Sequence, residues 1–204
     1  MRDPGHDDGR PSPRRGGRPP DERRRAAILA AAGDLMFEGG LAAATMEGIA
    51  ARAGVSKQTI YNRWPSRGAV ALEGFMVRVD PSDQVPPDAT AAEALRILVR
   101  ALVRLFSSGP AGPLMRSLIA DAQTSPEIAD ALRSQWLDPR RDAVVGILER
   151  GRDSGELRAD LDIATAIDHA FAPVYYRLLM GHGPLDEDSA LASVDQLLHG
   201  ITRE

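Results

Sequence analysis

Apolar side chains recur at every third or fourth position along most of this chain, and no segment shows the single alternation of a half-buried strand. Ala26, Ile28, Leu29, Ala32, Leu35 and Met36 make the first stripe. Asp21 and Glu22 follow Pro19-Pro20 ahead of it and Gly39-Gly40 closes it, which predicts a helix over about 20–38. A second stripe, Met46, Ile49 and Ala50, begins behind Thr45, read as the N-cap of a capping box. Gly54 ends that helix, because glycine alone reaches left-handed backbone at low cost, and Ala53-Gly54-Val55 forms a tight turn. Ser56 caps a third helix too short to be stable alone. Val55, Ile60 and Trp64 point back to the core, while Lys57, Gln58, Thr59, Tyr61, Asn62 and Arg63 face outward.

A fourth helix of about 67–79 opens behind Pro65-Ser66 and closes before Pro81. Beyond it the periodicity stays helical. Leu95, Leu98, Val99, Leu102, Leu105 and Phe106 make a long stripe, and Leu114, Leu118 and Ile119 a shorter one. Ser125-Pro126-Glu127 starts another helix, and Asp138-Pro139 is a second start or a kink before Val144, Val145, Ile147 and Leu148. Gly155-Glu156-Leu157 turns the chain into two last helices near 162–181 and 187–202. The predicted fold is all-α, with nine or ten helices. Residues 1–19 lack apolar periodicity and read as a disordered basic arm. Pro86-Pro87 marks the joint, with the fourth helix bridging it. The predicted division is a helix-turn-helix domain over 20–66 and a larger α-helical domain over 67–204.

Charge sharpens that division. The 204 residues sum to −4, but residues 10–67 hold eleven Lys and Arg against five Asp and Glu, whereas residues 68–204 hold thirteen against twenty-one. A +6 segment joined to a −8 remainder is what a chain needs when one part touches phosphates and the other does not. Arg10, Arg14, Arg15 and Arg18 are either a solvated tail or an arm that follows DNA phosphates. Cysteine is absent, which removes disulfides, thiolate metal sites and cysteine nucleophiles. His6, His169, His182 and His199 show no metal spacing, and neither a Gly-rich phosphate loop nor a nucleophile motif occurs, so no cofactor and no catalysis are expected. With no signal-peptide core and no apolar run of about 18 residues, the chain is expected to be cytoplasmic and away from membranes.

The outward residues of the third helix are base-edge and phosphate readers on double-stranded DNA. At this point the chain resembles the TetR-type bacterial transcriptional regulators. The likeness is specific over Arg23–Phe75, in I-L-A-A-A-G-D-L-M-F-E-G-G and T-M-E-G-I-A-A-R-A-G-V-S-K-Q-T-I-Y-N-R-W-P-S-R. It is looser in S-P-E-I-A-D-A-L and P-V-Y-Y-R-L-L-M-G-H-G-P-L-D. Trp64 replaces the family's usual Phe and Arg67 its usual Lys, both keeping the physical role.

The resemblance implies that Thr45 and Tyr61 position the DNA backbone and that Arg67 clamps a further phosphate. Ser56 caps the reading helix. Lys57, Gln58, Thr59 and Asn62 are set for the major groove, and Arg63 serves phosphate or base. One such helix reads only a few base pairs, so two copies must act on one operator about 34–36 Å apart. The resemblance assigns that homodimer to the last two helices, with Ile163, Ala166, Ile167, Ala170, Phe171, Val174 and Leu178 as its seam or as monomer core. It also implies a small-molecule effector pocket in the C-terminal part. Candidate walls are Phe106, Met115, Arg116, Ile119, Gln123, Trp136, His169, Tyr175, Tyr176 and Met180, any of which also suits a packed core. The function expected is a repressor released by a small molecule; the alternative is a constitutive DNA-binding protein without an inducer.

Overall fold

The structure, a computed structural model, describes residues 20–79 and 85–201. The arginines of the basic arm and residue 202, the predicted end of the last helix, lie outside the described residues. Among those described the chain is helical without a β-strand, as its periodicity predicts. The first four helices are α1 (Pro20–Gly39), α2 (Met46–Ala53), α3 (Lys57–Tyr61) and α4 (Arg67–Arg78), with a short 3-10 turn at Leu41–Ala43. Then come α5 (Ala91–Ser107), α6 (Ala111–Ala122), α7 (Pro126–Ala131), α8 (Asp138–Asp153), α9 (Ile163–Met180) and α10 (Glu187–Ile201).

Asp138-Pro139 stands at the start of α8, but no break in the helical chain precedes it. Leu132–Leu137 forms a π-helical segment that runs α7 into α8 as one rod, so these ten α segments make nine rods among the described residues. Pro139 falls in the first turn of α8, where a missing N–H costs least. Two caps also differ from expectation. Thr45 accepts the amide of Gly48 at 3.0 Å, but with glycine at that position no side chain can reach back, and the capping box is absent. The complete box sits at α5 instead, where Thr90 Oγ1 accepts the Glu93 amide and Glu93 accepts the Thr90 amide at 3.0 Å. The T-A-A-E spacing before a long apolar stripe was its signal. A second carboxylate reinforces the same end: Glu156, in the turn after α8, accepts the Ala91 and Ala92 amides at 2.8 and 2.9 Å.

The largest packing surface joins α1 to α4, and α4 packs in turn on α7. Backbone approaches backbone where Gly33 meets Gly74. A Cβ on Gly74 would lie 2.9 Å from the Ala32 Cβ and 3.0 Å from the Leu29 carbonyl oxygen. At its other end Gly68 leaves room for Ile128 of α7, whose Cδ1 would stand 2.3 Å from an added Cβ. The apolar core is continuous, from Ile28 and Met36 through Phe75 and Trp136 to Val194 and Leu198. Cations on one face of α5 tie α10 down: Arg96 pairs with Asp195 at 2.8 Å, and Arg100 and Arg104 with Glu187 at 3.0 and 2.7 Å.

The seven residues read as a dimer seam belong mostly to this core. Ala166, Ile167, Ala170, Val174 and Leu178 are buried within the monomer, and Ile163 and Phe171 are half-buried against it. The opposite face of α9 carries the exposed apolar groups, Tyr176, Leu179 and Met180. Helical periodicity marks an apolar stripe without saying which neighbour covers it, and α5, α6, α8 and α10 pack on α9 within one chain.

Candidate nucleic-acid interface

The two helices α2 and α3 meet through Gly54, whose φ of 66° and ψ of 36° are left-handed. Ser56 then accepts the Thr59 amide at 3.2 Å and bonds the Thr59 hydroxyl at 2.9 Å, which fixes the first turn of a five-residue helix. That helix is held from below: Ile60 is fully buried, Trp64 is buried and Val55 half-buried. The Trp64 indole donates to the Glu73 carboxylate on α4, and Arg25 of α1 pairs with the same carboxylate. Short as it is, α3 gains its rigidity from this packing.

On the outer face Lys57, Gln58, Asn62 and Arg63 are exposed, Thr59 is half-buried and the Tyr61 ring is 50% exposed. These groups are not loose. Gln58 Nε2 donates to Asn62 Oδ1 at 2.8 Å, one helical turn on, so the two amides stand as a pair. Lys57 Nζ donates to Glu47 Oε1 at 2.7 Å, across the turn on α2. That bond draws the Glu47 carboxyl below its ordinary pKa and lifts the Lys57 ammonium above its own. Arg63 pairs with Asp21 in the first turn of α1. Arg67, half-buried at the head of α4, reaches the Leu41 carbonyl and the Asp121 carboxylate of α6, each at 3.5 Å. Glu47, Asp21 and Asp121 are the partners that sequence reading missed. They lie ten or more positions from the cations they hold, beyond any helical spacing rule.

The effector candidates divide. Phe106, Met115 and Trp136 are buried and Tyr175 is half-buried. The three rings pack together, Phe106 lying 6.2 Å from Trp136 and 5.6 Å from Tyr175 between centroids, with Phe75 5.6 Å from Trp136. Trp136 Nε1 donates to the Tyr175 hydroxyl at 2.8 Å, and burial pushes the Tyr175 pKa up. Arg140 was not foreseen: its guanidinium lies 3.5 Å over the Trp136 ring and donates to the Trp136 carbonyl at 2.8 Å, while desolvation lowers its pKa. The i,i+4 spacing from Trp136 was its only signal. Arg116 and Gln123 are exposed on α6, where Gln123 bonds the Ile119 carbonyl at 3.0 Å. His169 and Tyr176 line a groove on the outer face of α9 and α10 with Pro173, Gln196 and Leu197, and Met180 is exposed beyond it. Ile119 is half-buried against the core, so the ten candidates do not share one site.

Among the described residues no cluster of His, Asp and Glu has the makings of a metal site, and no helix is long and apolar enough to cross a membrane. The family model described as "Bacterial regulatory proteins, tetR family" matches residues 28–73. "Tetracyclin repressor-like, C-terminal domain" matches residues 85–197. The chain is 38% identical over 166 residues to the HTH-type transcriptional regulator YdeS of Bacillus subtilis, covering 80% of this chain and 82% of that one. Among solved structures it is similar to the TetR family transcription regulator SCO0332, with 34% identity, a TM-score of 0.78, and coverage of 89% of this chain and all of that one. The fold is also similar to the transcriptional regulator FadR from Bacillus subtilis in complex with stearoyl-CoA, at 20% identity and a TM-score of 0.62, covering 86% and 98%.

Proposed function

Because the chain belongs to the TetR family of bacterial regulators, we propose that it represses transcription by binding a palindromic operator as a homodimer and lets go when a small molecule occupies its C-terminal part. Such a regulator reads chromosomal DNA in the cytoplasm and needs no catalytic group. The observation that carries the reading is α3. Its polar face is exposed as a row while Ile60 and Trp64 fasten it to the body, the arrangement a major-groove reader requires. We assign residues 20–66 to this head and residues 67–204 to sensing and pairing. Lys57, Gln58, Thr59 and Asn62 meet base edges, Thr45, Tyr61 and Arg67 meet phosphates, and Arg63 meets either.

Coupling between the parts is supported by two contacts. Arg67 shares Asp121 with α6, and Gly68 lets Ile128 of α7 press on the first turn of α4. A ligand that moves α6 or α7 therefore tilts α4 and with it the reading head. By linkage it weakens DNA binding as much as DNA weakens the ligand, typically by about 1–3 kcal/mol. The Phe106–Trp136–Tyr175 cluster adjoins these helices and is the best-supported effector region, with the FadR neighbour as precedent for a bound small molecule. The tightness of that packing favours a second reading, a constitutive DNA-binding protein.

Footprinting on the DNA flanking the protein's own gene tests the head, with a protected palindrome as the expected result. A thermal-shift screen separates the two readings. A sensor gains stability with its ligand by mass action, whereas a constitutive binder gains none from any compound.

A further inference from the structure

The reading face carries its own competitors for DNA. Lys57 is bonded to Glu47 at 2.7 Å and Arg63 is paired with Asp21, so two of the cations on or beside α3 are held by carboxylates of α2 and α1. Both carboxylates are well exposed, with 68% of each side chain accessible, so neither pair is needed to fill the core. The ion pairs Arg52–Glu38 and Arg78–Asp34 involve no residue of the reading row.

We propose that Glu47 and Asp21 are specificity-determining residues that withhold Lys57 and Arg63 from phosphates on non-operator DNA and release them only to the operator. The inference rests on α3 being the reading helix. A phosphate row offers Lys57 nothing that Glu47 does not already supply at contact distance, so on random DNA the pair stays closed. A correctly placed base edge adds a directed acceptor within a desolvated groove, and there the pair opens. Exposed pairs are weak, and the discrimination each supplies is up to about fivefold. Non-specific affinity comes almost wholly from neutralised phosphates, which makes the salt dependence of binding a count of the cations engaged.

The test compares E47Q, D21N and the double variant with the wild type. Each is titrated over a salt series against a random-sequence duplex and against the duplex that the wild type selects from a random pool. E38Q, which removes the same charge from the last turn of α1, where Glu38 pairs with Arg52 of α2, is the control for through-space effects. On random DNA the slope of log K against log[salt] is expected to steepen by about 0.9 for each single variant and about 1.8 for the double. The slope on the selected duplex stays put, and E38Q changes neither. Equal slopes for variants and wild type on random DNA, or an E38Q effect as large as that of E47Q, overturns the proposal.

A direct readout follows from composition, since Lys57 is the only lysine in the chain. Lysine-labelled protein gives one side-chain ammonium resonance. That resonance is expected to keep its free position on random DNA in the wild type, to move in E47Q, and to move in both on the selected duplex. A wild-type shift on random DNA equal to that on the selected duplex sinks the idea. If K57A weakens binding to the selected duplex while E47Q behaves as wild type, the lock alone fails; if K57A is also without effect, the assignment of the reading helix fails with it.

Discussion

Tyr61 and Arg67 bracket the reading helix, one exposed at its C-terminal end, the other anchored at the head of α4 by Leu41 and Asp121. Replacing either with Ala is expected to weaken binding on all sequences alike; R67A should also lower the salt slope by about 1 while Y61A, which removes no cation, leaves it unchanged, measured by anisotropy over a salt series. Gln58 and Asn62 belong to another class. Each alanine variant should relax preference at one base position at a cost of about 1–3 kcal/mol. Because the two amides bond each other, their effects should not add in a double-mutant cycle. At the residue scale the exposed polar face of α3 was legible, since caps, a left-handed glycine and a short amphipathic helix are local. The carboxylates holding Lys57 and Arg63 were not, because they come from other helices. A different carboxylate, Asp162, accepts the Thr165 amide at 2.8 Å as N-cap of α9, and this bond lowers its pKa. A depressed folded value means the cap stabilises above the unfolded pKa of about 4 and loses that effect as pH falls through the folded value. The melting temperature of D162A should thus fall below that of wild type at neutral pH, and the gap should narrow below about pH 4.

Among the helices, α4 has the most to transmit. Its crossing with α1 depends on Gly33 and Gly74, and its first turn on Gly68. G74A sets a methyl group against the α1 backbone and should cost about 1–3 kcal/mol in urea unfolding, with no relief from a flexible neighbour. Y175F should leave the buried Trp136 N–H without its acceptor, at about 1–3 kcal/mol. Helix positions followed from the 3.6-residue period, with the bounds given for the first, fourth and ninth helices within a residue of those of α1, α4 and α9. The π-helical join at Leu132–Leu137 did not follow, because Asp138-Pro139 reads as the start of a separate helix and nothing local tells an i→i+5 turn from a break before it.

For the molecule as a whole, the function we propose turns on pairing two heads. The exposed Tyr176, Leu179 and Met180 on α9 are the surface we assign to that contact. Y176D should shift the protein toward monomer by analytical ultracentrifugation and reduce operator affinity by well over tenfold, without lowering the melting temperature of the monomer. The sequence by itself determined the helical class, the helix-turn-helix with its exposed polar face on α3, and the basic head on an acidic body, because periodicity, capping and charge are properties of neighbours along the chain. Only the tertiary structure decided which apolar stripe of α9 is core and which is surface. It also decided which candidate effector residues share a cluster, and which carboxylates restrain the reading cations. Those are contacts between residues far apart in sequence, and no local pattern specifies which distant side chain will arrive.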